Sequence, residues 1–323
     1  MSARLLCAFA AFGFSLLFAP LAPGIINRVK AVIAGRQGRP LLLLYYDLRR
    51  LLRKEALYPR CSTFFFRLAP AAGVCAGVTA LLLVPFGPLG SCAGFSGDFV
   101  LVAGVFAVAR FTLMTAAVDT GSAFEGMGAA REAFFSSLAE PVLLFCLAVL
   151  CFRAGVYSLA AGMGSIPAAA WFNDATFYLT TGAALFLVLL QENCRLPADD
   201  PDTHLELTMI HEVMILDHSG PDLAFLEYAS ALKLWTFCLL TADMFVPLAG
   251  GPLFDAQGAL LPGAGGRAAC SVALTFAGAV AVAVLVGLVE SVTARFRMER
   301  VPQICALAGG FICLAALAYW RTS

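Results

Sequence analysis

The sequence has little charge for its length. Only 13% of its 323 residues are Asp, Glu, Lys or Arg, whereas 61% are hydrophobic. Soluble domains carry about 25% charged residues, so this composition excludes a soluble domain of ordinary type. The apolar runs are continuous rather than alternating, which excludes a transmembrane β-barrel. We find no internal repeat, and this disfavours transporters that are built from duplicated halves.

The long apolar runs predict an all-α integral membrane protein. A helix needs about 20 apolar residues to cross a bilayer core about 30 Å thick. We therefore predict one transmembrane domain over residues 1–323, with charged cytoplasmic loops and about eight helices, near residues 5–25, 68–86, 99–118, 138–157, 176–192, 229–249, 269–290 and 303–320. The first segment also has the composition of a cleaved signal peptide, and the sequence leaves that alternative open.

The cysteines do not form a recognisable metal site. There are eleven of them, and no Cys-x-x-Cys pair occurs anywhere in the chain. We therefore predict neither a metal site nor a cysteine-ligated iron–sulfur cluster in this chain. A redox centre that the function requires is expected in a partner subunit, and no self-contained active site is evident in the sequence.

Basic residues are concentrated on one side of the predicted helices. Ten of the 21 Lys and Arg residues lie between Asn27 and Arg67. Loops rich in Lys and Arg stay in the cytoplasm, so we expect this segment inside the cell. Successive helices alternate in direction, which places the loops at 119–137 and 193–228 on the same side. Both termini are then predicted on the outer face of a prokaryotic cytoplasmic membrane.

Carboxylates crowd the second and third of these loops. Thirteen of the 21 Asp and Glu residues lie in them or beside them. Carboxylates at the mouths of helices, partly desolvated and mutually repelling, can exchange protons near neutral pH. A solvated loop that docks a basic partner is the simpler alternative. The acidic candidates for a proton or ion path are Glu132, Glu140, Glu192, Asp199, Asp202, Glu206, Glu212 and Asp217.

Several charged residues fall within predicted helices or at their ends. Arg110 lies in the middle of the third helix and Lys233 just inside the sixth, whereas Glu140 opens the fourth ahead of Pro141. Charge inside a membrane is usually functional, so Arg110 and Lys233 join the candidate ion path. Simpler interpretations stay open: Arg110 can extend to the surface, Lys233 can anchor its helix, and Glu140 can favour a helix N-terminus. Asp243 lies nearer the outer surface.

The three histidines of the chain recur every seven residues, as His204, His211 and His218. In a helix they would form one stripe with about 10 Å between neighbours, so two of them cannot share a metal ion. A proton relay through Glu212 and Asp217 fits this pattern. A polar helix face without a proton role fits it equally well.

Several stretches together resemble one family of membrane subunits. Glu192-Asn-Cys-Arg-Leu-Pro-Ala-Asp199 resembles the long cytoplasmic loop of complex I subunit 1. Its continuation Thr203-His-Leu-Glu-Leu-Thr-Met-Ile-His-Glu212 is more similar to the counterpart in formate hydrogenlyase, hydrogenase-4 and other group 4 membrane-bound NiFe hydrogenases. Gly35-Arg-Gln-Gly-Arg-Pro40 and Phe124-Glu-Gly-Met-Gly-Ala-Ala-Arg-Glu132 agree with the same family.

The resemblance implies a coupling subunit rather than a catalyst. The chain would anchor a hydrophilic arm of hydrogenase-like large and small subunits and a ferredoxin-like iron–sulfur subunit, which would hold the NiFe and iron–sulfur centres. It would link this arm to antiporter-like membrane subunits that translocate protons or sodium. Residues expected to contact the arm are Arg36, Arg39, Arg49, Arg131, Arg195, His204 and His211.

Departures from the family pattern disfavour a quinone site. Ala198 follows the loop proline where complex I has Phe, and the segment after Leu207 is shorter. A Gly-Pro-Asn triplet is also absent after Pro40. Two alternatives stay open: the quinone-chamber subunit of a respiratory NADH dehydrogenase-like complex I, and a stand-alone carrier or channel.

Overall fold

The computed structural model describes residues 3–164, 166, 168–196, 210–246, 265–293 and 300–322. Within these ranges the chain forms helices and no strand. The helices are α1 Ala3–Phe18, α2 Leu21–Ile33, α3 Leu43–Leu51, α4 Phe64–Leu83, a 3-10 helix Gly87–Leu89, α5 Asp98–Asp119, α6 Ala123–Ala154, α7 Leu159–Gly164, α8 Ala168–Asn173, α9 Ala175–Glu192, α10 His211–Met214, α11 Gly220–Asp243, α12 Gly265–Val292 and α13 Val301–Thr322.

Seven of these helices are long and apolar enough to cross a membrane, namely α4, α5, α6, α9, α11, α12 and α13. The count reaches eight if α1 and α2 together form one bent span. In lipid every backbone polar group must be satisfied within the segment, and continuous apolar runs achieve this as helices. The prediction of an all-α membrane protein with about eight spans is confirmed.

The first predicted helix, residues 5–25, is divided in two. Helix α1 ends at Phe18 and α2 begins at Leu21, with a bend of 51° between them. Pro20 lies at the break, where it has no backbone N–H to continue the hydrogen bonds of α1. Helix α2 then runs on to Ile33, so Lys30 lies on a helix rather than in the predicted loop.

The fourth predicted helix, residues 138–157, is longer than its apolar run. Helix α6 begins at Ala123 instead and extends to Ala154. The charge of segment 123–137 predicts a loop, but this segment contains no proline and is rich in residues that helices tolerate. Glu140 and Pro141 therefore lie in the middle of α6. A helix dipole acts only within the first turn, so it does not explain Glu140.

Helix α11 occupies the centre of the molecule. In its second half nearly every residue is buried, and it packs against α2, α4, α9 and α12. A Cβ built on Gly77 of α4 would lie 2.9 Å from Leu232 Cβ, and one built on Gly278 of α12 would lie 3.1 Å from Ala242 Cβ. Small residues of this kind let membrane helices approach closely.

The helix ends define two sides of the molecule. The basic end holds α3, α10 and the connections at residues 34–63, 120–122, 193–196 and 210–219. The opposite end holds the 3-10 helix, α7 and α8. Helix α3 buries Leu51 and exposes Arg49 and Arg50, as expected of a helix that lies along a membrane surface. The cytoplasmic location of the basic end stays a prediction from its charge.

Candidate functional site

Arg110 is the centre of a buried network of charges. It lies on α5, and its side chain is only 5% exposed. The guanidinium Nε lies 3.1 Å from Glu132 Oε1, Nη1 lies 2.7 Å from Glu140 Oε1, and Nη2 donates to Glu192 Oε2. The planar fork of an arginine presents donors in several directions, so one guanidinium serves three carboxylates.

The spacing of the helices explains why these acids meet. Glu132 and Glu140 are eight residues apart on α6, which places them on one face about 12 Å apart along the axis. The guanidinium of Arg110 reaches both from the neighbouring helix. Glu192 is the last residue of α9, and its side chain is 1% exposed. Three helices thus contribute to one buried site.

Lys233 of α11 supplies a second cation to this site. Its Nζ lies 2.9 Å from Glu192 Oε2 and donates to the backbone carbonyl of Glu192 at 2.5 Å. The same Nζ lies 5.9 Å from the centre of the Phe106 ring. We refer to the whole group as the carboxylate cluster, which consists of Arg110, Lys233, Glu132, Glu140 and Glu192.

The carboxylate cluster contains one more acid than it has bases. With every member ionised it carries one excess negative charge, and the adjoining group of Lys30, Arg195 and Glu290 carries one excess positive charge. Glu140 is the most accessible acid, with a side chain 38% exposed against 12% for Glu132. Glu140 is therefore the acid of the cluster that water reaches most easily.

A second buried ion pair, which the sequence analysis missed, lies beside the cluster. The side chain of Glu290 on α12 is fully buried. Its Oε2 lies 3.2 Å from Lys30 Nζ of α2, and its Oε1 lies 3.6 Å from Arg195 Nη1. Glu290 was the last residue of a predicted helix, and the cost of intramembrane charge was the signal that could have identified it.

A cavity of about 740 Å³ connects the carboxylate cluster with the basic end. One wall is formed by small residues of α4, among them Ala69, Gly73 and Gly77. The rest of the lining mixes apolar and charged residues. The charged ones include four members of the cluster and also Lys30, Arg36, Arg39, Arg195 and Glu212, with His211 beside them. Charged groups within a membrane protein commonly face water-filled cavities, so water can reach the cluster from the basic end.

Every member of the carboxylate cluster is among the predicted path residues. His211 and Glu212 of α10 line the cavity beside it. Desolvation and the nearby charges of Lys233, Arg110 and Arg195 lower the pKa of His211 to about 4. His211 is therefore neutral near pH 7, and it does not hold a proton there.

The other predicted path residues lie elsewhere. Asp217 is exposed, and its backbone N–H donates to Glu125 Oε1 at 3.0 Å. Three further acids and one histidine lie outside the described residues, namely Asp199, Asp202, Glu206 and His204.

The residues predicted to contact a hydrophilic arm differ in exposure. Arg36, Arg39 and Arg49 are exposed at the basic end, where a partner can reach them. Arg131 is half-buried, and its Nη2 lies 2.7 Å from Met127 Sδ. Arg195 faces inward, because its side chain is only 13% exposed and lies beside Glu290.

The predicted stripe of histidines is not a continuous helix where the structure describes it. Helix α10 contains His211 but ends at Met214, and His218 precedes the start of α11 at Gly220. His218 is buried and stacks on Phe66, with ring centres 3.9 Å apart. Burial lowers the pKa of His218 to about 4. The two described histidines therefore occupy separate environments and form no relay with one another.

Comparisons with known proteins agree with this architecture. Residues 6–320 match the family model described as NADH dehydrogenase. Formate hydrogenlyase subunit 4 of Escherichia coli (strain K12) is 28% identical over 297 residues, which cover 92% of this chain and 92% of that protein. Hydrogenase-4 component C of the same strain is 26% identical over 309 residues, which cover 95% of this chain and 93% of that protein.

Two further similarities extend the comparison. An NADH-quinone oxidoreductase subunit from Verminephrobacter eiseniae (strain EF01-2) is 26% identical over 210 residues, which cover 62% of this chain and 57% of that protein. Among solved structures, a chain of the membrane-bound sulfane sulfur reductase (MBS), an archaeal respiratory membrane complex, superposes with a TM-score of 0.74 at 18% identity. The superposition covers 100% of both chains, so the whole fold is shared.

Proposed function

This chain belongs to the NADH dehydrogenase family, and we propose that it is the membrane-anchoring and ion-coupling subunit of a complex-I-like NiFe hydrogenase of the formate hydrogenlyase type. Formate hydrogenlyase subunit 4 and hydrogenase-4 component C match this chain over more than nine-tenths of its length, which supports the hydrogenase assignment. The chain carries no redox centre in this proposal. The NiFe and iron–sulfur centres belong to partner subunits.

The carboxylate cluster is the observation that carries the coupling role. A charge inside a membrane is costly to maintain, and intramembrane charged residues therefore mark ion pathways more often than purely structural contacts. The carboxylate cluster is well suited to binding a proton. The cavity gives the cluster a route to the basic end, where exposed Arg36, Arg39 and Arg49 are available to a hydrophilic arm.

Movement of Arg110 is the step that changes the proton affinity of the cluster. An ion pair is worth about 4 kcal/mol at 4 Å and about 2 kcal/mol at 8 Å in a medium of effective dielectric constant near 20. Moving Arg110 from about 4 Å to about 8 Å from one carboxylate therefore favours protonation of that acid by about 2 kcal/mol, or roughly thirtyfold in the equilibrium constant. A charge that appears in the arm when a centre is reduced can drive such a shift through the basic end.

Glu140 is the acid from which an ion leaves toward neighbouring membrane subunits. Its side chain is the most exposed of the three, and it lies in the middle of the long helix α6. In the proposed assembly, antiporter-like subunits that translocate protons or sodium pack near this face and receive the change in charge. The basic end holds the hydrophilic arm on the cytoplasmic side of a prokaryotic inner membrane.

The size of the cavity favours one alternative function. A space of about 740 Å³ with a partly apolar wall suits the head of a quinone, and the third relative is a subunit of an NADH-quinone oxidoreductase. In that case the chain is the quinone-chamber subunit of a respiratory complex I. That relative matches only 62% of the chain, which supports this alternative less well.

Affinity purification from gently solubilised membranes distinguishes these functions. We expect an affinity-tagged chain to recover subunits that contain nickel and evolve hydrogen from a reduced dye. A variant with Arg36, Arg39 and Arg49 replaced by glutamine is expected to lose the nickel-containing subunits in a high-salt wash, whereas an Arg321→Gln control retains them. Recovery of a quinone-reducing arm without nickel would support the alternative, and recovery of the chain alone would refute both.

A further inference from the structure

Asp243 is a buried acid with an incomplete set of partners. It ends α11 near the opposite end of the molecule and is 1% exposed. Its Oδ1 accepts a hydrogen bond from the backbone N–H of Gly87 at 3.1 Å. Its Oδ2 is also buried and has no hydrogen-bond partner within the described part of the chain. Among the described residues, no Lys, Arg or His lies within 4 Å of the carboxyl to neutralise it.

A second buried oxygen lies at the same place. Thr275 of α12 has a buried Oγ1 that faces the Asp243 carboxyl, and this hydroxyl has no other hydrogen-bond partner among the residues that the structure describes. This Oγ1 lies 2.8 Å from the position that a Cβ on Gly87 would occupy. Gly87 begins the 3-10 helix and has a positive φ of 58°. It lies next to both α11 and α12. Asp243 and Thr275 therefore flank one glycine turn from α11 and α12.

The surroundings of Asp243 favour the neutral acid. Burial of an ionised carboxylate without a cation costs far more than burial of a hydrogen-bonded neutral group. A protonated Oδ2 gains an O–H that can donate to an acceptor such as the Thr275 hydroxyl, while Oδ1 keeps its bond from Gly87. One proton thus satisfies the carboxyl without any further ligand.

Asp98 at the same end provides a contrast. It is equally buried, but Ser158 Oγ donates to its Oδ2 at 2.8 Å and the backbone N–H of Leu159 donates to its Oδ1 at 2.7 Å. Donors to both oxygens satisfy the hydrogen-bonding capacity of this carboxyl at the start of α7. Asp98 therefore has a complete structural role, which Asp243 lacks.

Asp243 is also remote from the carboxylate cluster. Lys233 lies ten residues earlier on the same helix, which corresponds to about 15 Å along the axis. Between them, the hydroxyls of Thr236 and Thr241 donate to carbonyls of their own helix. The two sites are thus separated by almost three helical turns of α11.

We propose that Asp243 is a proton-binding site in the half of the membrane domain opposite the carboxylate cluster, protonated at rest and able to exchange its proton with the adjacent surface during turnover. The resting protonation follows from the geometry of Asp243, Gly87 and Thr275 alone. The exchange during turnover rests on the proposed ion-coupling function. These two parts are tested separately.

Carbodiimide labelling of the intact complex in native membranes tests the resting protonation. The O–H of a neutral carboxylic acid adds across a C=N bond of dicyclohexylcarbodiimide, and rearrangement gives a stable N-acylurea that mass spectrometry locates. At pH 8 we expect roughly tenfold or more label on Asp243 than on Asp98, because burial without a partner disfavours only the charged form of Asp243. A water-soluble carbodiimide should label neither. Equal labelling of both, or none on Asp243, would overturn the proposal.

Substitutions separate a proton role from a structural role. Asp243→Asn keeps an acceptor for the Gly87 N–H and offers an N–H donor toward Thr275, so it imitates the protonated acid permanently. We expect it to assemble normally and to evolve hydrogen from a reduced dye, but to translocate ions at least fivefold more slowly than the wild type. Asp98→Asn serves as a matched control and should translocate normally. Normal ion translocation by an assembled Asp243→Asn complex would refute proton exchange at Asp243 during turnover.

The outcomes also distinguish this proposal from the proposed function. If the wild-type complex translocates no ions at all, the coupling function fails, while the labelling of Asp243 still decides its protonation. If Asp243→Asn does not assemble, the labelling comparison and Thr275→Val decide instead. Loss of the Thr275 hydroxyl should leave Asp243 protonated and still labelled, and loss of label in that variant would contradict the assigned state.

Discussion

Replacement of Arg110 by glutamine removes the central cation of the carboxylate cluster. The side chain is 5% exposed and contacts carboxylates of Glu132, Glu140 and Glu192. Glutamine keeps a polar side chain of intermediate length but carries no charge. After the change, Lys233 is the one remaining cation of the cluster, and it faces Glu192.

The expected loss of stability is large. Removal of one partner from a buried ion pair typically costs about 3–5 kcal/mol, because an uncompensated charge stays buried. The loss of unfolding free energy in Arg110→Gln should fall in this range at pH 7. Adding Glu192→Gln should restore about 1–3 kcal/mol of it, since the two residues interact directly. Arg153→Gln is a useful control. Its ion pair with Asp174 is 30% exposed on the arginine side, so its loss should cost about 1 kcal/mol or less.

Unfolding of the purified subunit in mixed detergent micelles measures these changes as free energies. Arg110→Gln is expected to be clearly less stable than Arg153→Gln, and the double variant with Glu192→Gln is expected to recover part of the lost stability. If Arg110→Gln costs no more than the control, or if Glu192→Gln adds to the loss instead of reducing it, the interpretation of the cluster as a coupled set of charges is refuted.

Three further predictions concern other parts of the molecule. Glu290→Gln should destabilise the subunit by about 3 kcal/mol or more, because it leaves Lys30 and Arg195 without their buried acid; an unfolding midpoint equal to that of the wild type would contradict this. Burial lowers the pKa of His218 from 6.5 to about 4, so the unfolded chain binds the extra proton between these values. His218 should therefore lower the stability by up to about 3 kcal/mol as the pH drops from 6.5 to 4. His218→Phe should remove this part of the fall, while the part from His211, whose pKa is also lowered to about 4, stays. Gly77→Ala should lower the free energy of unfolding by about 1–3 kcal/mol, since the new Cβ would lie 2.9 Å from Leu232 Cβ. An unchanged thermal midpoint would show that α4 and α11 can separate freely.

Much of the site could be predicted because charge inside a membrane is rare. Arg110, Lys233 and Glu140 were identifiable as charged residues in or beside apolar runs, and Glu192 as the acid at the end of one. What the sequence could not provide is their mutual geometry, since the residues come from four separate helices. Only the fold places Glu132 and Glu140 against the same guanidinium.

The features that were missed share a physical cause, which is that apolar runs do not mark helix ends. Helix α6 extends well before its apolar run, so its charged first half was interpreted as a loop. Glu290 was overlooked because it closes a predicted helix, although its side chain is fully buried. Arg195 was expected to contact a partner because it matches the charged cytoplasmic loop of the family, whereas pairing with Glu290 turns it inward.

Ion translocation by a Glu192→Gln variant tests the central claim most directly. The complex is reconstituted into vesicles, hydrogen evolution is driven by a reduced donor, and accumulation of protons or sodium inside is followed with and without the corresponding ionophore. We expect hydrogen evolution to be coupled to ion uptake in the wild type and in an Asp217→Asn control. In Glu192→Gln we expect strongly reduced uptake per hydrogen evolved. Equal uptake per hydrogen in all three complexes would contradict a coupling role for the carboxylate cluster.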